Sequence, residues 1–191
     1  MSNDEATILV DVITRDCWYS GSVVHRGFRL TDILNDGTSD ILTMFDAVTG
    51  IVGTGTANVR WKQVLLRKDR VLMAIPKGSH EAPIRRRNNY LEKNQYGAMI
   101  VLPGHLISGI VHLPSRGKPA MLLEENSTLS GFMPVTDVTV HNSNHDFAAT
   151  RFNVAIIQRR FIESVQLTLQ RLPKRESPVA ESGATESVAA G

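Results

Sequence analysis

The chain is poor in three things. It has one cysteine, Cys17, in 191 residues; aromatic residues make up only 6%; and the formal net charge is +2. A single cysteine excludes a disulfide framework within the chain and suits a reducing compartment, so a cytoplasmic location is expected. Near-neutral charge excludes a strong overall electrostatic hold on nucleic acid, although a local basic patch is compatible with it. No run of the sequence approaches the roughly 20 apolar residues of a membrane span, so no membrane partner is expected. The opening stretch MSNDEATILVDV places acids where an export signal places basic residues. Without export, the Asn-Ser-Thr triplet at Asn126 carries no meaning as a glycosylation acceptor.

What the chain does have is 42% hydrophobic residues, enough for one core or two small ones, and a phrase written twice. YSGSVVH (19–25) and ISGIVHL (107–113) both place Ser-Gly before apolar residues, with Gly21 and Gly109 standing 88 apart. Asp46 in ILTMFDAV and Asp137 in FMPVTDVTV are 91 apart, and Val64 and Val154, in two further apolar blocks, are 90 apart. Between the first two blocks lie RLTDILND (29–36) and KPAMLLEEN (118–126), each reading as a short helical turn with an apolar pair, Ile33-Leu34 and Leu122-Leu123. Collinear matches at nearly constant spacing indicate an internal duplication.

Each copy reads as strands. Ile8, Val10 and Val12 alternate with their neighbours in TILVDVI, which is the period of a half-buried strand. In RFIESVQLTLQ (160–170) the same period of two holds, so this segment is a strand and not a helix. Gly21 and Gly109 fall inside strands, where a glycine marks a bulge or a sharp bend. WKQVLLR and RVLMAI are expected to form a hairpin across Lys68-Asp69. Five bent strands can close on themselves and remove exposed edges.

A strand pair around Ser-Gly, then ILTMFDAV, then QVLLRKDRVLMAI, resembles the Sm-like, SH3-type small barrel, in which a glycine bends the second strand and a final hairpin closes the ring. The chain also resembles a bacterial family of unknown function that carries RLTDILN followed by a strand with Asp-Ala. The resemblance covers residues 7–76 and, more loosely, 97–170. Two departures stand out. A helical turn is inserted between strands, and the Arg-Gly of the closing Sm motif is replaced by Lys68-Asp69 and by Gln158-Arg159. The RNA site of that family is therefore not carried over.

The expected organisation is a first β-barrel repeat over 1–76, a surface linker over 77–96, a second repeat over 97–172, and a disordered tail over 173–191. The tail has no aromatic residue and too little apolar surface to offset its ordering entropy. The expected fold is all-β: two tandem small barrels of about five strands each with short helical turns, related by a pseudo-two-fold, or one sandwich built from both halves.

Candidate chemistry is sparse. His141, His145 and Asp146 lie in the polar stretch HNSNHD, but Asn and Asp favour turns and no helix is expected to stack the two histidines, so no metal is expected. GIVGTGTAN (50–58) is glycine-rich but lacks the Lys-Ser/Thr and following helix of a phosphate loop. Cys17 has no neighbouring histidine in the sequence to activate it. Asp46 and Asp137, being duplicated, suit a shared turn role better than acid–base work. Arg85, Arg86 and Arg87 with Tyr90 are the best candidates for gripping phosphate and stacking a base, with Arg159 and Arg160 adding to the patch. No enzyme activity and no cofactor are expected. The leading reading is a non-catalytic binding or assembly module with a protein partner, homo-oligomers included. The alternatives are an RNA- or DNA-binding protein and, after that, a small-molecule or metal sensor.

Overall fold

The computed structural model describes residues 6–52, 59–78, 93–115, 117–124, 127–142 and 149–168. The chain is all-β. Its strands are β1 Thr7–Thr14, β2 Cys17–Val24, β3 Ile41–Ile51, β4 Val59–Arg67, β5 Val71–Pro76, β6 Lys93–Leu102, β7 His105–Pro114, β8 Phe132–Asn142, β9 Thr150–Gln158 and β10 Ser164–Thr168. One helix, α1 (Leu30–Asn35), and 3-10 turns at Lys68–Arg70, Pro119–Leu122 and Arg159–Phe161 join them. The first strand of the second half begins at Lys93, inside the segment expected to be linker. The rest of that linker from 79 to 92, and the tail at 173–191, lie outside the described residues.

All ten strands belong to one antiparallel sheet, in the order β10-β6-β7-β8-β9-β5-β1-β2-β3-β4. This corrects the expectation of two closed barrels. The segments around Lys68-Asp69 do not form a hairpin: a 3-10 turn redirects the chain, and β5 pairs with β1 instead of β4. RKDR offers none of the Gly or Asn residues that a tight hairpin turn requires. The outer side of β5 then pairs with β9, through Met73↔Ile157 and Ala74↔Ile156.

The two halves nevertheless repeat each other rung for rung. Each has the same strand order, with β5-β1-β2-β3-β4 answered by β10-β6-β7-β8-β9. The rung Val10↔Pro76 is matched by Ala98↔Leu167, and Phe45↔Gln63 by Thr136↔Val154. Positions in the first two strands of each half correspond at a spacing of 88, and those from the third strand onward at 91. Val64 therefore corresponds to Ala155, one residue away from the Val154 expected from sequence. The seam joins unlike strands, the fifth of one half to the fourth of the other. A two-fold axis would join like to like. The halves are arranged head to tail, and the pseudo-two-fold is corrected accordingly.

Gly21 and Gly109 mark the same distortion twice. In each half two residues of the third strand stand opposite one of the second: Asp46 and Ala47 opposite Gly21, and Asp137 and Val138 opposite Gly109. The extra residue sits at Asp46 or Asp137, mid-strand and exposed, with φ of +48° and +50°. Aspartate tolerates this left-handed region better than most residues. The bulge presses the third strand onto the glycine. A Cβ at Gly21 would lie 2.8 Å from the Phe45 carbonyl oxygen, and one at Gly109 would lie 2.9 Å from that of Thr136.

The sheet carries two cores, one per half, on opposite faces of the seam. Met73 and Ile157 face the second-half core with Ile100, Ile107, Val135 and Leu122. Ala74 and Ile156, the next rung, face the first-half core with Val10, Val12, Leu34, Leu42 and Met44. This is why Val71–Ile75 and Val154–Gln158 are buried without alternation, unlike β1. Phe132 of β8 also joins the first-half core. Asn35 of α1 clamps it there: its Nδ2 donates to the Phe132 carbonyl at 2.8 Å, and its Oδ1 accepts from the Phe132 N–H at 2.8 Å.

Replacing Gly21 by alanine is expected to lower stability by about 1–3 kcal/mol in chemical denaturation, because rigid backbone must shift to admit the methyl group. Gly37→Ala, where a Cβ would meet nothing within 4 Å, is expected to change it by less than about 0.5 kcal/mol.

Candidate functional site

Arg159 and Lys68 are equivalent through the repeat, and both point inward. Lys68 is buried, and its Nζ donates to the carbonyls of Ile33 at 2.7 Å and Asp36 at 2.8 Å. These carbonyls lie at the C-terminal end of α1, where Ile33 also accepts the Asp36 N–H, and the helix has no basic residue of its own in the last turn. Arg159 closes the corresponding turn in the second half. Its guanidinium donates to the carbonyls of Leu122 (3.2 Å), Leu129 (2.7 Å), Met121 (2.9 Å) and Glu124 (2.5 Å). Burial lowers the pKa of both groups, opposed by Asp36 and Asp40 at Lys68 and by Glu124 at Arg159. Arg159 is thus committed to backbone carbonyls inside its own lobe. Arg160, next to it, is exposed, with its guanidinium 4.7 Å from the centre of the Phe161 ring.

The remaining sequence candidates do not converge. Arg85, Arg86, Arg87 and Tyr90 lie outside the described residues, as do His145 and Asp146. His141 is exposed on β8, opposite Leu106 of β7. Among the described residues no group of three or more His, Cys, Asp or Glu side chains is placed to hold a metal ion. Cys17 is half-buried at the tight connection between β1 and β2, where the Thr14 hydroxyl donates to its carbonyl at 2.8 Å and accepts from its N–H at 3.1 Å. Among the described residues no helix is long and apolar enough to cross a membrane.

Two features absent from the sequence reading stand out. The first is a groove of about 730 Å³ where β5 peels away from β9 beyond the two-rung seam. It is lined by Asp11, Lys77, Asp137, Arg151, Ile75 and Phe152 among others. Lys77 Nζ lies 2.8 Å from Asp11 Oδ1 and donates to Ser20 Oγ at 2.9 Å. The Asp11 contact is electrostatic, since that buried oxygen receives no well-aligned hydrogen bond.

The second feature is the pair of sheet edges. Among the described residues β4 pairs only with β3, and β10 only with β6. β4 is nine residues long and exposes Val59, Trp61 and Leu65, and Ile41 is exposed beside it. Leu65 is 64% exposed. An unpaired strand of this length presents backbone donors and acceptors to any strand that can reach it. The sequence signal for both features was available only through the corrected register, since it takes the 91-residue spacing to see that exposed Leu65 corresponds to buried Ile156.

In comparisons with known proteins, no family model, no curated protein and no solved structure matches this chain.

Two measurements test the inward chemistry. Arg159→Leu is expected to lower stability by about 2–4 kcal/mol, since a charged donor is lost and buried carbonyls are left unpaired. Arg159→Lys is expected to recover part of that, because Lys68 satisfies two carbonyls in the equivalent place. His112, whose Nε2 lies 3.0 Å from Thr136 Oγ1, has its pKa lowered from 6.5 by burial and then by Lys93, with Asp137 opposing. In the window between that lowered value and 6.5 the unfolded chain binds more protons than the folded one, so stability falls as pH drops through it. Urea unfolding across this window is expected to show a shallower slope for His112→Gln than for the wild type.

Proposed function

We propose that this chain is a non-catalytic assembly module, a duplicated five-stranded unit related to the Sm-like build, that binds protein by adding strands to its open sheet edges in the cytoplasm. The observation that carries the reading is β4: a long edge strand, paired on one side only among the described residues, with Val59, Trp61 and Leu65 exposed on it. Strand addition takes affinity from backbone hydrogen bonds and specificity from alternate side chains, and β4 offers both. The commitment of Lys68 and Arg159 to internal carbonyls agrees with a scaffold role.

A nucleic-acid partner is the second reading, favoured by Arg160 stacked on Phe161 and by Arg60, Lys62 and Arg67 along β4. Arg85, Arg86, Arg87 and Tyr90 belong to that reading as well.

The test is affinity capture of the full chain with both bound protein and bound nucleic acid quantified. A stoichiometric protein, lost when proline replaces Gln63 at the centre of β4, is the expected result. Co-isolated nucleic acid released steeply by salt, and lost on Arg85–Arg87→Ala, would support the second reading in its place.

A further inference from the structure

The internal seam shows what the two free edges are shaped to do. β9 corresponds to β4 and β10 to β5, so the edges left open among the described residues at the ends of the sheet are the same two kinds that meet at its centre. At the seam, the first half covers the outer face of the second. Phe132 and Ile156, on the side of β8 and β9 facing away from their own core, are 5% and 2% exposed because they sit in the core of the first half. Their counterparts are Ile41 and Leu65, also facing away from their own core, and these are 39% and 64% exposed. The surface that the seam buries in one copy is bare in the other.

The covering side is repeated too. In the first half it consists of Leu34, Val71 and Ala74. Aligning the helical turns on their N-caps, Arg29 and Lys118, gives Leu123, Ile162 and Val165 as the counterparts. Leu34 is 2% exposed; in the second half Leu122 is buried in its own core and the next residue, Leu123, is 50% exposed.

We infer that the partner of this chain is a second copy of itself, with β4 of one molecule pairing antiparallel to β10 of the next and continuing the sheet head to tail. This rests on the assembly reading above and names its partner. The register follows from the seam. Met73↔Ile157 and Ala74↔Ile156 translate to Ser164 opposite Leu66 and Val165 opposite Leu65. The next rung places Glu163 opposite Arg67, whose guanidinium is held by Asp69 at 2.7 Å within its own molecule. Joining unlike edges leaves one of each kind free at the ends, so the contact generates rings or open chains and not a closed two-fold dimer. The intermolecular junction lacks a clamp that the internal one has, and places Ser164 where the internal one has Met73. Asn35 holds the Phe132 backbone across the seam, whereas the Ile41 backbone is bonded to its own Ser39 hydroxyl. The outer junction is therefore the weaker of the two and depends on concentration.

The test uses the full chain with Cys17→Ser as background. Leu65→Cys and Val165→Cys proteins, prepared separately, mixed and mildly oxidised, are expected to form a disulfide-linked pair in preference to either protein with itself. Light scattering of the wild type is expected to give a mass that rises with concentration above one chain. Leu65→Glu is expected to return it to one chain and to unfold thermally like the wild type at dilutions where the wild type is itself a single chain, since that side chain is largely exposed there. A wild type that stays a single chain at high concentration would overturn the inference, as would an oligomer in which Leu65→Cys and Val165→Cys do not cross-link. A single chain that captures a different protein stoichiometrically, with capture lost on the β4 proline substitution, would overturn self-association while leaving the assembly reading intact. A single chain that captures no protein would remove both.

Discussion

Two rungs of antiparallel ladder hold the architecture together. Met73↔Ile157 and Ala74↔Ile156 are the whole hydrogen-bonded contact between β5 and β9, yet successive side chains on a strand point to opposite faces. One rung therefore enters the second-half core and the next enters the first-half core. The seam is short but sits between two apolar layers, and its strength comes from burial on both sides more than from its few hydrogen bonds. Beyond those rungs the ladder between the two strands stops, although Ile75 and Ala155 still share the second-half core. β5 turns toward β1, and the charged groove of Asp11, Lys77, Asp137 and Arg151 opens.

The duplication has kept some positions for geometry and relaxed others where surroundings differ. Gly21 and Gly109 stay glycine because the bulged strand leaves no room for a Cβ, and Asp46 and Asp137 stay aspartate where φ is positive. The basic residue after the fourth strand is kept as a function and varied as a side chain. Lysine serves a regular helix that ends in two reachable carbonyls. Arginine, with its wider fork of donors, serves the 3-10 turn and loop of the second half, where four carbonyls converge from Met121, Leu122, Glu124 and Leu129. Removing either cation would leave buried acceptors unpaired, so these positions answer to hydrogen-bonding requirements inside the lobe.

Much of the scaffold was legible in the sequence, and the limit of that legibility is physical. Alternation in TILVDVI and in ESVQLT identified strands, and the spacing of Gly21 to Gly109 and of Asp46 to Asp137 identified the copies. Period two cannot distinguish a register from one shifted by a residue when both faces are apolar. That is the situation in NVAIIQ, and it is where Val64 was matched to Val154 in place of Ala155. The same double-sided burial concealed the seam. VLMAI reads equally well as the closing strand of a barrel or as the central strand of a longer sheet, and only its neighbours decide between them. Arg159 looked like part of a basic surface patch, since charge composition does not say whether a side chain points out or in. The best basic cluster, Arg85 to Arg87, lies outside the described residues.

A sheet with two open edges must also avoid indiscriminate pairing, and the charges on this one are arranged to do so. β4 carries Arg60, Lys62 and Arg67 among its exposed apolar residues, and among its described residues β10 carries no basic side chain. Two β4 strands brought together antiparallel in a register that faces Arg60 with Lys62 would oppose like charges, which is unfavourable in a ladder. A β10 strand arriving at the same edge brings Ser164, Gln166 and Thr168, with Glu163 at its start, and meets no such repulsion. Charge thus discourages the pairing of like edges and leaves the pairing of unlike edges open. The apolar residues that would drive contact, Leu65 and Ile41, belong to the surface that the internal copy of the same contact already buries.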